Sequence, residues 1–441
     1  MTIHVFAGPT IPATGIRAIL PHAHCHPPAR HGDLLALAPS PEDTVVIIDG
    51  LWHQSAPVRH KEILAVLAAG TTVVGAASMG ALRAAELAPY GMHGVGSIYR
   101  DYLTGVLDAD DEVAVLHSPT GEPLSEALVN IRTALARCAA TGLITADEAV
   151  SLLAIARDLP YDRRSWPAIG QATRTAHLTD LYDRVNLWRR TNPYDLKRED
   201  AETALRLLAE GSPPALEQDG WRHEPWPTSF VRYWTSAYRP GPHGMPVLAA
   251  LQYQQLYDPG FPDRWRRHVV ATIGGSPATA DEALLDMAAI RTAAEQGLHL
   301  THLTQAQAAY WLTPAELLLD PDEALLRIMV RSARLDGAWT AWPATWDEAA
   351  QRLLQDAEPT AAAIAAAFRF NAAVAAADPR RTTAHLDPDR LGRHLRDVWG
   401  LADGATGTAL DAAARDRAFR DFAGAVEVAR AFYLYSRAAT G

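Results

Sequence analysis

The segment TTVVGAASMGALRAAEL, residues 71–87, decides the reading of this chain. It opens as an apolar, β-branched run, passes through small residues around one hydroxyl, Ser78, and continues as LRAAEL with helical spacing. A strand that turns sharply into a helix is the building unit of an α/β fold. Working outward, IHVFAG (3–8) and TVVIIDG (44–50) precede it as apolar runs, and EVAVLH (112–117) follows. Continuous apolar strands alternating with helical patterns predict a mostly parallel sheet covered on both faces. The helix between the second and third runs is expected from about His60 to Ala69, stopping at Gly70, and the next from Ser78 onward.

Further along, PLSEALVNIRTALARCAATG (123–142) predicts a long amphipathic helix with Leu128, Ile131, Leu135 and Cys138 on its buried stripe. TADE (145–148) is a capping box for another. From about residue 196 helical patterns dominate. One is TPAELLLDPDEALLRIM, starting at Thr313 with Pro314 in the first helical position, and AAAIAAAFRFNAAVAAA is another. The expected organisation is therefore an α/β N-terminal domain with a mostly parallel sheet, 1–195, followed by a mainly α-helical C-terminal domain, 196–441. The Pro-rich stretches near 212–227 and 239–246 read as connections. Tryptophans are frequent in this half, among them Trp221, Trp226, Trp265, Trp339 and Trp342. They read as core more readily than as a binding groove.

The chain has 441 residues, too many for one ordinary core. Its net charge of −11 argues against a general nucleic-acid or membrane-surface binder. No apolar run is expected to be long enough to cross a membrane, and no signal pattern opens the chain. Two lone cysteines, Cys25 and Cys138, suggest a reducing cytosol. In PHAHCHPP (21–28), a strand would place His22, His24 and His26 on one face, with no second ligand cluster, so no metal is expected. Gly94 and Gly96 resemble part of a dinucleotide loop but follow no strand in this reading.

In a parallel α/β layout the carboxyl ends of the strands share one edge, where ligands bind. Alternation alone brings Ser78 to that rim, together with Gly8, Pro9 and Thr10 after the first strand. Lys61, near the first turn of the helix after TVVIIDG, comes to the same edge. The local pattern Ala76-x-Ser78-x-Gly80 suits a nucleophile elbow, which needs small residues on both sides. Backbone N–H groups of the following helix are expected to face the hydroxyl and stabilise an oxyanion. A serine nucleophile needs a base. Lys61 would serve if neutral, a state favoured by burial and by a helix N-terminus. The plainer alternatives are that Ser78 is a helix cap and Lys61 an exposed helix residue. Arg83 and Glu86 would anchor a carboxylate or orient Lys61, or else form a surface ion pair. Glu126 and Asn130, four apart on one helix face, suit a substrate or partner contact, or ordinary helix-surface bonding.

FAGPT near the N-terminus, HKEIL (60–64), GAASMGALRAAEL (75–87), YGMHGVGSIYRDYLTGVL (90–107), DDEVAVLH (110–117) and PLSEALVNIR (123–132) occur in one order. Together they closely resemble the TfuA family, most strongly over about 45–135. The resemblance implies a partner of YcaO-type ATP-dependent enzymes in peptide backbone thioamidation. It would hydrolyse the C-terminal thiocarboxylate of a ThiS-like sulfur carrier, deliver sulfide, and aid engagement of a ribosomal precursor peptide. The family's Ser-Lys pair falls on Ser78 and Lys61 by string match. No cofactor, nucleic acid or membrane is implied. A non-catalytic adaptor that docks the YcaO enzyme to its peptide is the alternative, and a hydrolase of another ester-like substrate a further one.

Overall fold

Val45, Val46, Ile47 and Ile48 are all fully buried, as expected of a strand covered on both faces. Side chains alternate across a strand, so Val45 and Ile47 join one apolar cluster and Val46 and Ile48 another. The computed structural model describes residues 1–52, 55–118, 121–211, 228–333, 342–378, 380, 382–405 and 407–440. The chain divides into two compact units, Met1–Trp226 and Pro227–Gly441.

The first unit is built on five parallel strands: β1 (Ile3–Phe6), β2 (His24–His26), β3 (Thr44–Ile47), β4 (Thr72–Ala76) and β5 (His93–Val95). Their order is β2-β1-β3-β4-β5. Helix α1 (Ala13–Ile19) contributes Ile16 to the cluster with Val46 and Val74. On the opposite face α2 (Asp33–Leu37), α3 (His60–Ala68), α4 (Met79–Leu87) and α5 (Ser97–Leu103) supply Leu34, Ile63, Ala84 and Ile98. Helices α6 (Leu128–Ala140), α7 (Ala146–Asp158), α8 (Trp166–Thr175) and α9 (Thr179–Thr191) form a separate cluster around Leu135, Cys138 and Ile169. Cys138 is core, as its spacing predicts, and Thr145 and Glu148 form the expected capping box.

Three sequence expectations change in the first unit. EVAVLH is not a strand: Asp110–Glu112 forms a 3₁₀ turn and 113–117 is irregular. Ionic anchors hold this segment away from the ladder, since Arg132 and Arg157 bind the buried Glu112 carboxylate and Arg164 binds Asp111. The sheet edge goes to β5, which is short and contains a glycine, a weak strand signal. The helix expected over 123–142 begins only at Leu128. Its first residues are extended because Leu124 N–H donates to Leu116 O and Glu126 N–H to Arg164 O. The boundary expected after residue 195 lies later, because α10 (Leu196–Ala209) buries Ala201, Ala204 and Leu205 against the sheet.

In the second unit Phe261, Trp265, Trp342 and Phe432 centre one helical core, and Trp265 meets Trp342 edge-on at 6.4 Å. These tryptophans are core residues, while Trp221, Trp226, Trp339 and the connection 212–227 lie outside the described residues. The helix expected from Thr313 is broken. A 3₁₀ turn spans Glu316–Leu318, and the α-helix Pro321–Ser332 starts afresh with the Asp320 side chain accepting the Asp322 N–H. A residue before proline disfavours the helical conformation, which makes Asp320 a boundary. Among the described residues one helix, Ala357–Ala377, is long and apolar enough to cross a membrane, with mean hydropathy 1.4. It overturns the expectation that no run reaches that length. The run is mostly alanine, and Thr360, Ile364 and Ala367 bury one side of it.

Candidate active site

After β1 the chain crosses to one side of the sheet and after β3 to the other, which opens a crevice at their carboxyl ends. Asp49, just past β3, is 2% exposed. Its carboxylate accepts the N–H of Gly8 at 2.8 Å and of Thr10 at 3.0 Å, and the Thr10 hydroxyl at 2.6 Å. Gly8 and Thr10 thus tie the loop after β1 to the end of β3, and Thr10 lines the neighbouring cavity.

Ser78 follows at the turn from β4 into α4. The preceding Ala77 has φ 68°, a left-handed conformation that costs a residue bearing Cβ about 1–2 kcal/mol. A sharp, strained turn of this kind is what a nucleophile elbow requires. The turn closes because Gly80 lacks a side chain: a Cβ there would lie 1.7 Å from Ile47 O. Ser78 precedes α4 but its side chain makes no capping bond, so the cap alternative fails on geometry. Its Oγ, on a residue 7% exposed, donates instead to Val113 O at 3.5 Å. The α4 amides do not all face the hydroxyl as expected. Gly80 N–H donates to Ile48 O, and the Ala81 and Leu82 N–H groups donate to Ser78 O. Ser78 opens into a slot of about 60 Å³ with Asp49, Gly50, Trp52 and Tyr161, roofed by residues 113–117.

Lys61 is not among the residues of this slot. It is exposed on α3. Its neighbour His60 bonds Glu86 at 2.7 Å, and Arg83 binds the same carboxylate at 2.6 Å. Arg83 and Glu86 therefore form an ion pair with α3 and line neither this slot nor the cavity beside it.

The lysine that the structure brings to Ser78 is Lys197. It lies in the first turn of α10, on the stripe continued by Ala201, Ala204 and Leu205 that faces the sheet. It is 4% exposed, and its Nζ donates to Val113 O at 2.9 Å. That oxygen is the one the Ser78 hydroxyl contacts, so the two groups converge on a single carbonyl. Burial pushes the Lys197 ammonium below the ordinary lysine value, while Asp49, Asp195 and Glu126 pull it back up. Lys197 lines a cavity of about 280 Å³ that shares Pro9 and Val115 with the serine slot. Glu126, Asn130, Trp166 and Arg189 line the same cavity.

Glu126 and Asn130 do meet here, though Glu126 precedes α6 rather than lying on it. Burial pushes the Glu126 carboxyl up, while a bond from Asn130 pulls it down. Asn130 Oδ1 accepts the N–H of Leu196 at 3.0 Å and of Lys197 at 3.4 Å.

Lys197 is not legible as a site residue in the sequence, because the change to helical patterns at 196 reads as the start of a separate domain. Two signals point to it. It occupies an apolar-stripe position of an otherwise ordinary amphipathic helix. In a chain with 40 lysine and arginine residues, Lys61 and Lys197 are the two lysines.

The histidines of PHAHCHPP contribute a different arrangement from the one expected. β2 starts at His24, and the third ring beside His24 and His26 is His4 of β1, whose Nδ1 lies 3.1 Å from His26 Nε2. Among the described residues no three His, Cys, Asp or Glu side chains are placed to hold a metal.

Residues 49–165 match the family model of the TfuA-like proteins, and that segment of the chain is TfuA-like. The match contains Ser78 and ends before Lys197. No curated protein matches the chain.

Proposed function

From a TfuA-like segment and a buried serine beside a buried lysine, we propose that this protein is a Ser-Lys hydrolase acting in peptide backbone thioamidation. Its substrate is the C-terminal thiocarboxylate of a ThiS-like sulfur carrier. Its product, sulfide, is passed to a YcaO-type ATP-dependent enzyme that modifies a ribosomal precursor peptide. The convergence of Ser78 Oγ and Lys197 Nζ on Val113 O supports this reading most directly.

The chemistry follows from the two side chains. Neutral Lys197 donates one N–H to Val113 O, which leaves its lone pair to receive the Ser78 proton after the hydroxyl rotates away from that carbonyl. Ser78 Oγ attacks the thiocarboxylate carbonyl, the C–S bond breaks, and the Lys197 ammonium returns the serine proton to the departing sulfur, which leaves as hydrosulfide and restores the neutral amine. The resulting ester on Ser78 is hydrolysed by water that gives its proton to Lys197, and the carrier leaves as a carboxylate. The amide of Met79, the residue after the nucleophile, is the oxyanion donor expected of a strand-turn-helix serine. The slot of about 60 Å³ suits an unbranched acyl terminus.

The test is sulfide release from a thiocarboxylated carrier, with mass analysis of Ser78. Wild type should release sulfide and accumulate a transient acyl adduct on Ser78, and Ser78→Ala should do neither. Stimulated thioamidation without any sulfide release by wild type would favour the docking adaptor.

A further inference from the structure

We infer that Asn130 is a positioning residue for Lys197: its carboxamide fixes the first turn of α10 so that the lysine side chain reaches Val113 O beside Ser78. This rests on the Ser78–Lys197 reading and extends it to a residue on another helix.

A lysine side chain has four rotatable bonds and places its amine poorly unless both ends are held. The amine end is held by Val113 O at 2.9 Å. The backbone end lies where a helix leaves its first N–H groups without internal partners. The local cap reaches only part of that turn, since Asp195 Oδ1 accepts Arg198 N–H at 3.1 Å. The Leu196 and Lys197 N–H groups are taken by Asn130 Oδ1 from α6. Asn130 Nδ2 donates to Asp195 Oδ1 at 3.0 Å. A carboxamide offers acceptor and donor atoms side by side, and here Oδ1 takes both backbone amides while Nδ2 binds the Asp195 carboxylate.

Other side chains of similar size would not serve. Aspartate accepts the two amides but cannot donate, and it would face Asp195 and Glu126 as a third negative charge. Alanine leaves the two amides and the Asp195 carboxylate without these bonds. Asn130 therefore holds the base in place and keeps further negative charge away from it. The charged groups that face Lys197 are Asp49 from the loop after β3, Asp195 beside α10, and Glu126 before α6.

The experiment compares full-length wild type, Asn130→Asp and Asn130→Ala in sulfide release from the thiocarboxylated carrier between pH 6 and pH 10. Thermal melts and circular dichroism report the folded fraction. In Asn130→Asp the added charge raises the pKa of Lys197, so the midpoint of the acidic limb moves up by about one pH unit. At pH 7 kcat falls about tenfold, KM for the carrier stays within about twofold, and the deficit closes at high pH. In Asn130→Ala kcat falls about tenfold across the range. An unmoved midpoint in Asn130→Asp, with all loss explained by a smaller folded fraction, would reduce Asn130 to a structural contact. Full release by Ser78→Ala and Lys197→Met controls would instead overturn the pair itself, and the positioning role with it.

Discussion

Single side chains in this fold carry large electrostatic consequences because they are buried. Glu62 on α3 is an example outside the site. It is almost fully buried, its Oε1 lies 3.9 Å from His31 Nδ1, and burial pushes its carboxyl up to about 7. A carboxyl whose folded pKa exceeds its unfolded value keeps its proton in the fold after the unfolded chain has lost it, so stability falls as pH rises between the two values. From pH 5 to pH 8 this loss should amount to about 2.5 kcal/mol, and Glu62→Gln, which cannot ionise, should not show it. Urea denaturation at both pH values checks this, and parallel losses in the two proteins would exclude Glu62 as the source. At the same scale, the sequence made Ser78 legible and Lys197 not. Ser78 is bracketed by small residues that only a tight turn requires. The place of Lys197 beside Ser78 comes from the distant carbonyl of Val113, which no local pattern announces.

The decisive element is β4–turn–α4. Strands β1, β3 and β4 were legible because buried parallel strands read as unbroken apolar runs. EVAVLH imitates that pattern but is fastened by Arg132, Arg157 and Arg164, three arginines far along the chain. It becomes the roof of the serine slot instead of a fourth apolar strand. The closeness of α4 to β3 rests on glycine. Gly80→Ala would set a Cβ 1.7 Å from Ile47 O, against backbone that cannot yield cheaply. It should cost more than about 2 kcal/mol and move Ser78 enough to lower kcat. Chemical denaturation and sulfide release would read the two effects. Unchanged values in both would mean that the turn tolerates a wider gap than its geometry implies.

For the whole chain, the placement of the unit boundary decides whether the site is complete. A sheet ending at residue 195 would lack α10, and with it Lys197 and the apolar cover from Ala201, Ala204 and Leu205. A fragment 1–211 should therefore unfold cooperatively, whereas 1–195 should expose the sheet face and aggregate. Calorimetry and size-exclusion chromatography separate these outcomes, and a well-folded 1–195 fragment would show that α10 is dispensable to the sheet. The second unit was legible as helical from its sequence patterns. The central claim concerns the two lysines, and one comparison tests it most directly: sulfide release from a thiocarboxylated carrier by Lys197→Met and by Lys61→Met, each confirmed folded. Loss of about a thousandfold or more in Lys197→Met, with release near wild type in Lys61→Met, is the predicted result. Loss confined to Lys61→Met would contradict it and return the base to α3.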